Sequence, residues 1–274
     1  MNYLKTVLLT LICLIFIKLV SAQKFYVGIS SGYAIGIANQ RGDMVNSYVD
    51  YSKVVTEYRF ENVPYSLGRG WNIGGQFGYR FHKNIAFETQ INYHQSADVD
   101  QNDIEITSNF GIGKSELHER KTISAKMYRI TPSIVLHMGN EKINPYMKLG
   151  AVIGFGRIIT DGASVFNSVG NTNSSSYKKI DEGGVSFGAK GAFGLDYILS
   201  SKWSVFSELS FITMSYAPEY GNLETSDGTK RNYNYDDSFS ESEKFIILFD
   251  MPETLKRSYN FNSCGLDLGV RFSF

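Results

Sequence analysis

From Ser263 to Phe274 apolar and polar residues alternate one by one: Cys264, Leu266, Leu268, Val270, Phe272 and Phe274 are apolar, and Ser263, Gly265, Asp267, Gly269, Arg271 and Ser273 are small or charged. Successive side chains of a strand point to opposite faces, so this segment has one oily and one polar face. The same period recurs upstream. Lys24 to Ile37 sets Phe25, Val27, Ile29, Tyr33 and Ile35 against Tyr26, Gly28, Ser30, Gly32 and Ala34. Around Leu67 to Phe81, Trp71, Ile73, Phe77, Tyr79 and Phe81 oppose Asn72, Gly74, Gln76, Gly78 and Arg80; after the turn His82-Lys83-Asn84, Ile85, Phe87, Ile91 and Tyr93 oppose Glu88, Gln90, Asn92 and His94. Ala125 to Met138 alternates Tyr128, Ile130, Ile134 and Leu136 with Arg129, Thr131, Ser133 and His137, with Pro132 requiring a position that donates no hydrogen bond. Pro145 to Ile159, Gly184 to Leu199 and Lys202 to Tyr216 repeat the pattern, with Lys148, then Lys190 and Asp196, then Glu208 on their polar faces.

These segments predict an all-β chain of eight antiparallel strands, and their connections alternate in length as regularly as their residues do in polarity. The turns after the second, fourth and sixth segments are short. The stretches 38–64, 98–124, 161–183 and 217–258 are long and rich in Asn, Ser, Asp and Gly. Short turns at one end and long loops at the other characterise an up-and-down barrel of the bacterial outer membrane, with both termini on the periplasmic side. A soluble lipocalin-like barrel or sandwich would also alternate. It would have to bury aromatics from every strand inside, expose the charged face to water, and leave the loop asymmetry without a reason.

The amino-terminus supports export. Met1 to Lys5 is a short basic leader, Thr6 to Val20 is almost wholly apolar, and Val20-Ser21-Ala22 is a small-residue cleavage site, so residues 1–22 read as a signal peptide and 23–274 as the barrel domain. Interrupted at Lys18, the apolar run is shorter than the roughly 20 residues of a spanning helix. Without Lys5 and Lys18, the 27 basic residues become 25 against 27 acidic ones, so no basic excess points to nucleic acid. Cys264 is then the sole cysteine, which excludes an internal disulfide, and no Cys/His set has metal-ligand spacing.

Three stretches bear a family likeness: G-W-N-I-G-G-Q-F-G-Y-R-F-H-K-N-I-A-F-E (Gly70 to Glu88), I-N-P-Y-M-K-L-G (Ile143 to Gly150) and G-L-D-L-G-V-R-F-S-F (Gly265 to Phe274). In them the chain resembles the eight-stranded outer-membrane β-barrels abundant in Bacteroidetes, the porin-family and PorT-like proteins. The resemblance implies a location in the outer membrane among its lipid and lipopolysaccharide. It also implies an assembly signal at Phe272 and Phe274, read by the outer-membrane insertion machinery. These motifs are strand and turn chemistry and carry no activity.

The inward face holds the candidate chemistry. Arg80, Arg129, Lys148, Lys190 and Arg271 face Glu88, Asp196, Glu208 and Asp267 in a bore that, at eight strands, side chains just fill. Unpaired charges there are costly, so a salt-bridged plug is expected, and a hydrated ion path is the alternative. No enzymatic site is expected. His94, Ser96 and Asp98 share a strand face, but His94 and Asp98 are then about 13 Å apart and cannot act together. The run Asp98 to Asp103 lacks the glycine and glutamate of a calcium loop, and Asn173-Ser174-Ser175 is a glycosylation acceptor frequent by chance. No cofactor is implied. The apolar Phe245 to Phe249 in the last long loop is expected to pack on its neighbours or to meet a partner.

The expected function is therefore that of a surface structural or interaction protein acting through its long loops, with an extracellular or secretion-apparatus protein as partner. A narrow porin-like channel, or an accessory barrel of a secretion apparatus, is the alternative. Mature protein purified from membranes should begin at Gln23; an intact mass that includes Met1 would contradict the leader.

Overall fold

The computed structural model describes residues 25–37, 45–52, 56–109, 113–139, 142–235 and 256–274. The leader, with its cleavage site, and Phe245 to Phe249 lie outside the described residues. The strands are β1 (Phe25–Gly36), β2 (Val45–Asp50), β3 (Glu57–Asn62), β4 (Gly70–His82), β5 (Ile85–Ser96), β6 (Val99–Asn109), β7 (Gly113–His137), β8 (Ile143–Ser168), β9 (Asn171–Glu182), β10 (Ser186–Ile198), β11 (Trp203–Tyr216), β12 (Tyr220–Thr225), β13 (Lys230–Asn234), β14 (Tyr259–Asn260) and β15 (Ser263–Ser273). No helix occurs among the described residues.

Eight of these strands close a ring in the order β1-β4-β5-β7-β8-β10-β11-β15 and back to β1, every pairing antiparallel. The ring is the predicted meander. Its oily face is outside: Ile29, Leu149 and Phe187 are 70%, 65% and 71% exposed, while the alternate positions are buried. That polarity contradicts a soluble barrel, whose core would take those side chains. Pro132 faces outward, and the β7–β8 ladder passes over it, from Ile130 opposite Ile153 to Ser133 opposite Gly150, without a change of register.

The structure departs from expectation beyond the ring. Within the stretches 38–64, 98–124, 161–183 and 217–258, expected as loops, the described residues contain strands: β2 and β3, β6 with the start of β7, the end of β8 with β9, and β12 with β13. The β7–β8 hairpin pairs continuously up to Glu116 opposite Asn167, and strands of 25 and 26 residues reach roughly 80–85 Å, far beyond the roughly 9–11 residues that cross a bilayer. On one flank β9, β12 and β13 add to it, and on the other β6, β2 and β3, with β2 parallel to β6. The last long stretch thus contains the hairpin β12–β13. These strands carry polar residues on both faces, so their hydropathy does not alternate and they read as loop. Inter-strand hydrogen bonding needs no such alternation.

Glycines make room in the bore. Tyr26 lies opposite Gly78, Tyr146 opposite Gly194 and Phe206 opposite Gly269, and in each case a Cβ on the glycine would stand within 2.4 Å of the ring. Each ring thereby lies flat across its neighbour strand and fills the interior. Gly194→Val should push Tyr146 off this seat. The overpacking is expected to destabilise by about 1–3 kcal/mol, read as a lower temperature for loss of the compact, heat-modifiable band on gels.

Candidate functional site

The rings of Tyr26, Tyr146 and Phe206 surround one guanidinium, that of Arg271, whose carbon lies 5.2, 5.1 and 4.3 Å from their centroids. Arg271 bonds Asp196 at 3.1 Å and approaches Glu88 at 3.6 Å. Oriented with its oxygen toward Arg271, the Gln76 amide accepts from Nε at 2.8 Å and donates to Glu88 at 3.2 Å. From there the chain of charge crosses the bore. Lys148 donates to Glu88 and to Glu208, both at 2.6 Å, and Lys190 meets Glu208 at 2.7 Å while donating to Gln90 at 2.7 Å. Tyr26 donates to Glu88 at 2.8 Å and Tyr146 to Glu208 at 3.0 Å.

Three cations, Lys148, Lys190 and Arg271, are thus matched by three carboxylates, Glu88, Asp196 and Glu208, and all six are buried. A cluster neutral in sum avoids the several kcal/mol per ion that an unpaired charge would cost. The remaining candidates are placed otherwise. Arg129 and Asp267 are buried and face the same small chamber, of about 10 Å³, no wider than one water molecule, together with Asn92 and Thr131. Ser210 donates to Asp267 at 3.4 Å. Arg80, half-exposed, lines an open pocket at the end of the barrel that carries both termini, beside Asn144, Lys202 and Trp203.

Above the charges lies a second layer that the sequence reading missed. Leu67, Ala125, Met127, Val152, Ile158, Met214, Tyr216 and Phe261 form an apolar cluster, with Tyr65 packed in. Tyr65, Leu67 and Phe261 come from the connections before β4 and β15, which fold into the mouth: Leu67 N–H donates to Asn260 O at 2.8 Å and Phe261 N–H to Met214 O at 2.9 Å. The available signal was the inward positions near the strand tops, Ala125, Met127, Val152, Ile158 and Met214, which are apolar where those below are charged.

His94, Ser96 and Asp98 are not brought together. His94 is buried with Nε2 2.9 Å from Leu67 O, Ser96 Oγ accepts from Ala125 N–H at 2.7 Å, and β5 ends at Ser96 so that Asp98 lies exposed beyond it. Asp100 and Asp103 belong to β6 and hold Thr122 and Ser47, both at 2.6 Å. At the far end, Phe272 stacks edge-on with Trp203 at 4.9 Å and Phe274 at 5.2 Å, and Phe274 N–H donates to Phe25 O at 3.0 Å.

An eight-stranded ring with an oily exterior and a charged, filled bore defines an integral membrane β-barrel. The family model described as outer membrane protein beta-barrel domain matches residues 7–272, and the chain belongs to that family and to the bacterial outer membrane. Among solved structures, it is similar to Neisserial surface protein A (13% identity, 91% of this chain and 97% of that one, TM-score 0.37). It is similar as well to OprG of Pseudomonas aeruginosa (11%, 92% and 96%, TM-score 0.43) and to the outer membrane protease OmpT of Escherichia coli (9%, 93% and 98%, TM-score 0.32). No function is carried over from likenesses at this level. No curated protein matches.

Glu208 holds two buried ammonium groups, so Glu208→Gln should leave a charge unmatched and cost about 3–5 kcal/mol. Glu105→Gln, at an exposed position of β6, should stay within about 0.5 kcal/mol. Thermal unfolding of both variants in detergent, followed by the gel shift, checks the contrast.

Proposed function

We propose that this protein is a non-enzymatic surface barrel whose ring is a closed anchor and whose working part is the sheet that rises beyond the membrane. One observation carries the reading: the bore is filled twice over, by a charge-neutral network and then by an apolar layer. Ion selectivity in a pore needs a hydrated path with accessible ligands, and the lumen offers side chains bonded to one another instead.

The projecting sheet has features of an interaction surface. Its described edges are β3 and β13, and an edge strand is a template for pairing with another chain. Near the β3 edge Tyr51, Tyr58 and Phe60 are all exposed and in ring contact, at 6.3 Å for each neighbouring pair. The β13 edge is tied down. Tyr235 and Tyr233 donate to the buried Asp181 at 2.7 and 3.2 Å, and Lys179 lies over both rings. Burial holds the Asp181 carboxyl above its usual range. We take the partner to be an extracellular protein or, by the resemblance to PorT-like barrels of Bacteroidetes, a component of a secretion apparatus. In this reading residues 1–22 are removed, both termini face the periplasm, the long extensions face outward, and Phe272 and Phe274 serve assembly by the insertion machinery.

Two measurements test it. Wild-type protein in planar bilayers should show no steady open-channel conductance, and a persistent conducting state would favour the narrow channel. Protease added to intact cells should cut within 217–258 and spare His82 to Asn84; cutting at the short turn alone would invert the orientation.

A further inference from the structure

The outer surface of the ring changes from apolar to polar on four neighbouring strands. Following the outward positions of β7 toward the extension, Leu136, Ile134, Pro132, Ile130 and Tyr128 lead to Lys126; on β8, Met147, Leu149, Ala151, Ile153 and Phe155 lead to Arg157. On β5 Ile91 and Tyr93 lead to Gln95, and beyond Ile73 and Trp71 of β4 stands Arg69. Each apolar run therefore ends in an aromatic residue, and on three of the four strands the next outward residue is a cation. The rings form a continuous girdle, Trp71 to Tyr93 at 5.8 Å and Tyr93 to Tyr128 at 5.2 Å, with Phe155 opposite Tyr128 in register. Such a girdle marks the boundary between hydrocarbon and headgroups.

One row above Tyr93, Tyr128 and Phe155, Gln95, Lys126 and Arg157 are cross-strand partners, and Trp71 lies in that same row opposite Gln95. Like charges directly opposite each other in a ladder repel, and a folded sheet ordinarily separates them or supplies a counter-charge. Glu182 lies across from Arg157 in the β8–β9 pairing and is the one carboxylate of that row. Among the described residues the ion pairs of this part of the extension are made by Lys178 with Asp161 and Lys179 with Asp181, and Arg69, Lys126 and Arg157 join none. Two cations held side by side thus face outward about one strand repeat, some 7 Å, above Tyr128 and Phe155, and a third, Arg69, stands one repeat beyond Trp71 on the neighbouring strand. At that height on a membrane protein the neighbours are lipid headgroups.

We propose that Lys126 and Arg157, flanked by Arg69 and Gln95, form a binding site for the phosphate of an anionic membrane lipid headgroup. Its phosphate supplies a further counter-charge to a row in which Glu182 is the one carboxylate beside two cations, Arg157 offering a planar fork and Lys126 a point charge, while the acyl chains lie along the apolar runs below the girdle. With the orientation proposed above, the leaflet is the outer one and the lipid is phosphorylated lipid A; binding in detergent does not depend on that orientation, so the two readings fail separately.

Native mass spectrometry of the mature protein in neutral detergent tests the site with three probes: bisphosphorylated lipid A, the same lipid dephosphorylated, and inorganic phosphate. Lipid A should be retained, its dephosphorylated form retained far less, and inorganic phosphate not measurably. Lys126→Ala with Arg157→Ala should weaken retention about 20- to 30-fold, each alone about five-fold, and Lys126→Arg should leave it intact. The heat-modifiable band establishes that each variant is folded; if the double variant is not, the single variants decide. Equal retention by variant and parent, equal retention of dephosphorylated lipid, or binding of inorganic phosphate as tight as that of lipid A would each overturn the proposal.

Discussion

Opposite charges confined in a narrow, packed bore must meet, and most of the ring is arranged so that they do. Glu88 comes from β5, Lys148 and Tyr146 from β8, Lys190 and Asp196 from β10, Glu208 from β11, Arg271 from β15, Tyr26 from β1 and Gln76 from β4. Every ring strand except β7 contributes. A slip of one residue anywhere would turn a strand's charges toward lipid and its oily residues into the bore. The network therefore acts on register as much as on stability: pairings such as Gly78 opposite Glu88 and Glu208 opposite Asp267 are the ones that keep these side chains inside.

Filling the bore with charge has a steric requirement that the glycines meet. Tyr26, Tyr146 and Phe206 lie flat because residues 78, 194 and 269 have no side chain, and their faces then surround Arg271. The aromatic–glycine pairs and the ion pairs are thus one device. Cation–π contact with three rings and bonds to Asp196 and Gln76 leave the guanidinium no need of water.

Above the charges the bore is closed by apolar side chains carried partly on inward-folded connections, while the β7–β8 hairpin continues outward and gathers further strands on both flanks. Anchor and projection are continuous in the backbone but differ in solvent. One presents oil outside and charge inside; the other has polar residues on both faces, and its stability rests on ladder hydrogen bonds and on side-chain bonds such as those of Thr122 to Asp100 and Tyr235 to Asp181.

The period-two alternation was enough to define the eight ring strands and their inward and outward faces, though not the continuation of β7 and β8 beyond the ring, because a strand that separates lipid from a packed bore must alternate. It also placed all nine charged candidates on the inner face. Which of them touch was not legible: Lys148 lies 60 positions from both Glu88 and Glu208, and only closure of the ring brings β5, β8 and β11 around a common axis. Arg129 and Asp267, identical in pattern to the others, ended at a small chamber on the far side of Lys190, and Arg80 at the open end beside Phe25 and Phe274, since depth along the bore depends on strand stagger rather than on parity. The apolar layer was hidden because Tyr65, Leu67 and Phe261 sit in connections with no period. The strands beyond the ring were hidden for the converse reason: where neither face meets lipid, hydropathy has no cause to alternate, and only the hydrogen bonds of the tertiary structure decide that a polar segment is a strand.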